Sequence, residues 1–316
     1  MTHRRRVGVL VLGVVMLLVA VVAGLRPHLV AGAAQSVPVP GPPAVGDCVL
    51  DPLPADSLDG NTTVTSGGTV PVYPALQIRP CSGTRYAEVV AVLATPDPPV
   101  VQGPAANPYL VDPNVGRCYP VALRYLGVPT PPIRHFWELN LQLTVALSRP
   151  SSRQEAAGQH WAACIVKPTG VTYASPADQQ YGSSIRGALQ TGRQRNQLGS
   201  CAPTVDWNAS DGGGYCAGPH SLEVFAFGGS GDHPVTRNQV ELTCQQVVRQ
   251  LTGIPDPTVA GALAIQVHIT DNNSDTAITT AQIPARSSLT CGVATTGTRK
   301  LGGSLIALGR QPIPWA

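Results

Sequence analysis

The phrase Cys-x-Gly-x-x-x-x-Glu-Val occurs twice, as Cys81–Val89 and as Cys216–Val224, 135 residues apart. Each copy leads into an apolar run, Val90–Leu93 in one and Phe225–Phe227 in the other. The eight Cys divide accordingly into two sets of four: Cys48, Cys81, Cys118 and Cys164, then Cys201, Cys216, Cys244 and Cys291. The third-to-fourth interval is 46 residues in the first set and 47 in the second. A repeat period above 100 residues makes the unit a domain, not a turn of a solenoid.

The residues around the third Cys carry the same message in physical form. Cys118–Pro129 matches Cys244–Pro255, with Gly127 and Gly253 nine residues after the Cys and Pro129 and Pro255 eleven after it. Cys118, Val121, Ala122 and Tyr125 are spaced i, i+3, i+4, i+7, as are Cys244, Val247, Val248 and Leu251, which is one face of a helix. The Gly supplies a left-handed cap and the Pro forbids continuation. Downstream, Leu139–Leu147 and Leu263–Ile269 alternate apolar and polar residues, the pattern of a half-buried strand. Ser183–Leu189 and Gly302–Leu308 close the two units. The units differ in their loops: 32 residues separate the first two Cys of the first set and 14 those of the second, and a Pro-rich stretch, Thr95–Asn114, is inserted in the first.

The N-terminus reads separately. Arg4, Arg5 and Arg6 precede Val7–Leu25, 19 residues without a charge. That length suits a transmembrane helix, and the leading Arg hold its N-terminal end in the cytoplasm. A cleaved signal peptide is the rival, with small residues at Ala31–Ala34, although its apolar region is usually shorter. Arg26–Val45 is rich in Pro and Gly and reads as a semi-extended spacer. Everything beyond it is expected outside the cytoplasm, where the eight Cys form disulfides. Beyond residue 25 the chain carries 18 basic and 18 acidic residues with no basic cluster, which argues against a nucleic-acid partner.

At these motifs the chain resembles the septum-formation domain family of actinobacterial envelope proteins, as two divergent copies over residues 45–310. Gly46-Asp47-Cys48 matches the family's Gly-Asp-Cys opening, while Gly199-Ser200-Cys201 lacks the Asp. Cys216, His220, Glu223 and Val224 match its Cys-x-x-x-His-x-x-Glu-Val motif; the first copy keeps Glu88 and has Arg85 in place of the His. Gly303-Ser304-Leu305 matches the closing motif. The resemblance implies a role in division or envelope growth and names no reaction.

The expected fold class is α+β: an N-terminal transmembrane helix followed by two tandem disulfide-bonded domains, each an antiparallel sheet with one main helix. The segments are a cytoplasmic tip and anchor (1–25), a linker (26–45), copy 1 (46–198) and copy 2 (199–316). Four Cys allow three pairings; sequence proximity and the repeated interval favour Cys48–Cys81, Cys118–Cys164, Cys201–Cys216 and Cys244–Cys291.

Site chemistry is sparse. Cys216 and His220 have the spacing of a metal pair, but the first copy offers Arg85, so His220 is expected to support the turn into its strand and no metal is expected. Glu88 and Glu223 recur at one point of each copy and are expected to hold structure, bonded to backbone N–H groups at Gly83 and Gly218. Asp271–Asp275 begins like a calcium loop but has Thr276 in place of the Gly and Gln282 in place of the final acid, so it reads as a hairpin turn. His160 and His268 have no evident carboxylate or nucleophile beside them in sequence, and no Gly-x-Ser-x-Gly, Ser-x-x-Lys, His-Glu-x-x-His or phosphate-loop motif occurs. No catalytic residue and no cofactor are expected. The function expected is membrane-anchored binding or scaffolding in the cell envelope, with membrane contact through Val7–Leu25 and envelope or divisome proteins as partners. The alternatives are an envelope enzyme acting on wall polymers and a carrier of lipid or small molecules.

Overall fold

The computed structural model describes residues 12–18, 38–51, 62–65, 68–73, 76–98, 100–102, 109–111, 113–128, 136–168, 180–205, 207, 216–271 and 276–316. Residues 12–18 are helical (α1) and belong to a unit, Met1–Pro40, distinct from Gly41–Ala316. Most of the expected span Val7–Leu25 lies outside the described residues, as do residues 26–37 of the expected spacer. No helix among the described residues is long and apolar enough to cross a membrane.

Gly41–Ala316 is mixed α+β with antiparallel sheets and four disulfides. Its first half begins with β1 (Cys48–Val49), β2 (Thr62–Thr65), β3 (Gly68–Tyr73), β4 (Ile78–Arg79) and β5 (Ala87–Leu93). The small hairpin β6 (Val100–Gln102) and β7 (Tyr109–Val111) precedes the helix α2 (Val115–Leu126). Then come β8 (Trp137–Leu139), β9 (Leu143–Ser148), α3 (Ser152–Ala156) and β10 (Ala162–Pro168), with the short helices α4 (Ala188–Thr191) and α5 (Arg195–Leu198) closing this half. The second half runs β11 (Ser200–Ala202), β12 (Leu222–Gly229), β13 (Val235–Thr236), α6 (Arg237–Thr252), β14 (Leu263–Asp271), β15 (Gln282–Ile283) and β16 (Ser287–Thr295).

The duplication is visible in the pairing. The first sheet contains the run β9-β10-β5-β1, and the second has the order β14-β16-β12-β11. Cys48 stands opposite Glu88 as Cys201 stands opposite Glu223. The register of β5 against β10 slips at Val90, and that of β12 against β16 slips at Phe225. Both bulged residues lie two positions after the Glu, so even the irregularity of the ladder is repeated. The first sheet is widened by β4 beyond β1 and by β3, which runs parallel to β9.

The helices end where the Gly predicts. Gly127 and Gly253 are left-handed, with φ of 91° and 66°, and each closes its helix by a backbone bond. On α6 the expected face Cys244, Val247, Val248 and Leu251 is buried. On α2 the buried set is Cys118, Ala122, Leu123 and Leu126; Val121 and Tyr125 of the expected face are only half-buried, and the Tyr125 hydroxyl donates to Glu88.

One expectation fails. Leu139–Leu147 is not a single strand: β8 leaves the first sheet and pairs with β12 of the second, along Leu139↔Ala226, Glu138↔Phe227 and Trp137↔Gly228. Asn140 donates its N–H to the bulged Phe225 carbonyl of the second half, and Gln142 donates to Leu198 of α5 in its own half, so both N–H groups at the break are satisfied. Trp137 fixes the crossover by donating its indole N–H to Thr243 on α6 at 2.9 Å. Gly228 is required there, since a Cβ would sit 1.7 Å from the Phe136 carbonyl oxygen. One core follows from this exchange, joining Val90, Leu126 and Leu147 to Phe225, Val248 and Leu289.

Candidate functional site

Each half buries one carboxylate beside one disulfide. The sulfurs pair as Cys48–Cys81, Cys118–Cys164, Cys201–Cys216 and Cys244–Cys291, within each half and never between them. Cys118–Cys164 and Cys244–Cys291 tie the main helix to β10 and to β16. Cys48–Cys81 and Cys201–Cys216 tie the opening strand to the turn before the Glu-bearing strand.

Glu88 is fully buried on β5 and accepts four hydrogen bonds. The donors are Arg85 Nη1 at 3.2 Å, the Tyr125 hydroxyl at 2.9 Å, the Ser184 hydroxyl at 2.9 Å and the Ile185 N–H at 3.3 Å. Arg85 is itself enclosed, its side chain 11% exposed, and it donates to the Gly83 and Gly182 carbonyls. Burial and then the Glu88 charge raise the Tyr125 hydroxyl above its ordinary pKa. The same two causes raise Tyr181, whose ring lies 6.0 Å from the Arg85 guanidinium.

Glu223 is equally buried on β12 but has a leaner set of partners: the Ser304 hydroxyl, and the Leu305 N–H at 2.8 Å. Burial pushes its carboxyl up to about 7, against the lowering effect of those two bonds and of Arg195. Gly199 lies over the group, where a Cβ would stand 2.6 Å from Cys216 Sγ and 3.0 Å from a Glu223 oxygen. His220 takes the position of Arg85. Arg85 forms a backbone bridge with Tyr181, and His220 forms the corresponding bridge with Leu301. The imidazole is 3% exposed, its Nδ1 lies 2.7 Å from the Gly218 carbonyl, and burial holds it below the ordinary histidine pKa.

The expected donors for the two Glu are therefore corrected. Gly83 and Gly218 offer carbonyls, to Arg85 and His220, and the Glu ligands come from the closing segments Ser184-Ile185 and Ser304-Leu305. A turn tightened by a disulfide points its N–H groups elsewhere, while the closing segment returns to the start of the Glu strand. Gly199, Cys201, Cys216, His220, Glu223 and Ser304, far apart in sequence, meet in one buried cluster.

Compared with models of protein families, with curated proteins and with solved structures, the chain matches none of them. The site is thus read from its own geometry. Glu88 has all its lone pairs directed at protein donors, which leaves none for a substrate. The other residues singled out from sequence lie apart from it. His268 on β14 stacks on Trp207 with ring centroids 5.6 Å apart, His160 is exposed, and of Asp271–Asp275 only Asp271, the end of β14, lies within the described residues. An open groove of about 500 Å³ runs between α6 and β14, bordered by Gln245, Arg249, Asp256, Thr258, Leu263 and Ile265. Nothing in the sequence marks it, since its lining combines one helix face, the loop that follows it and one edge strand.

Proposed function

We propose that this chain is an extracytoplasmic binding or scaffold protein of the cell envelope, linked to septum formation and cell division and held at the membrane through Val7–Leu25. The observation that carries the binding reading is the fate of the two recurring carboxylates. Both are buried and bonded to closing segments of their own half, and the solvent-facing relief of the second half is an open groove with a mixed polar and apolar lining. Four disulfides support an oxidising compartment. The septal link rests on the resemblance: Cys216–Val224, Ser304-Leu305 and the opening Gly199-Ser200-Cys201, without the family's Asp, meet around Glu223, while Gly46-Asp47-Cys48 stands against Glu88 in the first half.

A photoreactive residue placed at Gln245 or at Ile265 in living cells tests this reading, with Glu155 on the exposed face of α3 as the control. Envelope or division proteins should be captured from the groove positions and not from the control. Equal capture from all three, together with release of soluble fragments from purified wall polymer by the isolated chain, would favour the enzyme instead.

A further inference from the structure

Four side chains with metal-ligand chemistry converge in the second half. Cys201 Sγ, Cys216 Sγ, a ring nitrogen of His220 and a carboxylate oxygen of Glu223 all lie within 4.8 Å of one another, and all four residues are buried. In the oxidised chain the sulfurs are joined to each other and are not thiolates. The imidazole is the informative member. A carbonyl only accepts, so the 2.7 Å contact with Gly218 places the ring proton on Nδ1 and leaves a lone pair on Nε2. Nε2 is buried and has no hydrogen-bond partner among the described residues. An uncompensated buried acceptor is costly. A backbone carbonyl on the opposite ring nitrogen is how proteins orient an imidazole that binds a metal. Glu223 is oriented in the same manner, by Ser304 and Leu305. The first half serves as an internal comparison. There the residue at the His220 position is Arg85, whose guanidinium supplies a cation 3.2 Å from the Glu88 carboxylate.

We infer that reduction of Cys201–Cys216 converts this cluster into a tetrahedral zinc site, with two thiolates, His220 Nε2 and one Glu223 oxygen as ligands. A dithiol reductant supplies two electrons and two protons: the Cys201–Cys216 bond breaks, two thiols form, and the reductant closes to its own disulfide. Zinc then displaces the two thiol protons to solvent and keeps its charge. Zinc–sulfur bonds of about 2.3 Å hold two sulfurs roughly 3.8 Å apart, within the present spread of the four ligand atoms. Thiolate and imidazole select zinc over magnesium or calcium. The disulfide is then a gate, closed in an oxidising compartment and opened by a thiol donor. This inference stands apart from the binding reading, because it uses no residue of the α6–β14 groove.

The test loads the full-length chain, reduced by a phosphine under argon, with cobalt(II) as a coloured stand-in for zinc. The expected result is one equivalent per chain showing tetrahedral visible bands and thiolate charge transfer, displaced by zinc and absent from the oxidised chain. His220→Ala retains all eight Cys and should lose the tetrahedral bands. X-ray absorption at the zinc edge of the loaded wild type gives an answer that does not depend on any variant folding, and should show two sulfur and two nitrogen or oxygen ligands. A four-sulfur shell would overturn the inference. So would an unchanged spectrum in His220→Ala, or thiol mapping that finds Cys201–Cys216 intact at every reductant concentration the fold survives.

Discussion

Glu88 and Glu223 occupy matching points on β5 and β12, yet replacing each by Gln should have opposite consequences. An unfolded Glu titrates near about 4.3, whereas burial raises Glu223 to about 7 in the fold. The folded chain holds that proton more tightly, so the contribution of Glu223 is complete below the unfolded pKa and is lost as pH rises through about 7. A Gln side chain there imitates the protonated acid, its amide donating to Ser304 and its carbonyl accepting from Leu305. Glu223→Gln should therefore be about 1 kcal/mol more stable than wild type at pH 5, where an unfolded Glu is already mostly ionised, and more stable by on the order of 3 kcal/mol at pH 8. Glu88→Gln strips the enclosed Arg85 of its counter-charge and should cost on the order of 3 kcal/mol at both pH values. Thermal melts of the two variants at pH 5 and pH 8 distinguish these outcomes, and matching losses in both variants would contradict the scheme. The repetition of Glu-Val made a structural task for both residues legible in sequence. Their ligands were not legible, because Ser184 and Ser304 lie 96 and 81 residues downstream and a lone Ser carries no signal.

The two main helices were the most legible elements, since an apolar face with a Cys, a capping Gly and a stopping Pro each constrain the same few residues. The strand Leu139–Leu147 misled, because apolar alternation says nothing about which sheet receives a segment: Leu141 and Leu143 are only half-buried, and the consecutive residues Val145–Ser148 are all buried. Trp137 is the residue on which the exchange turns. Trp137→Ala removes both the indole bond to Thr243 and the packing of the ring, and should cost about 3–5 kcal/mol. The loss is read as a lower urea midpoint at unchanged slope. Gly228→Ala should displace β8 for a different reason, the approach of the Phe136 carbonyl. If either variant unfolds like wild type, β8 is not the joint between the halves.

At the scale of the molecule, duplication was readable from the Cys spacing while the fusion of the copies into one body was not, because β8 has only three residues. Residues 199–316 alone should be unstable, with the edge of β12 beyond β11 unpaired. A synthetic peptide of residues 136–142 should raise their melting temperature, and a fragment that melts like the whole chain would show the halves to be independent. The position of β8 also bears on mechanical load. It lies between Cys118 and Cys164, so a pull entering near residue 41 and leaving beyond Gly229 crosses that loop through the sulfur bridge and bypasses β8. The joint is short-circuited: tension reaches the sheets on either side while the strand that binds them stays slack. In a single-molecule extension experiment, cleaving this bridge should add roughly 160 Å of contour from its 46-residue separation and expose the joint to force.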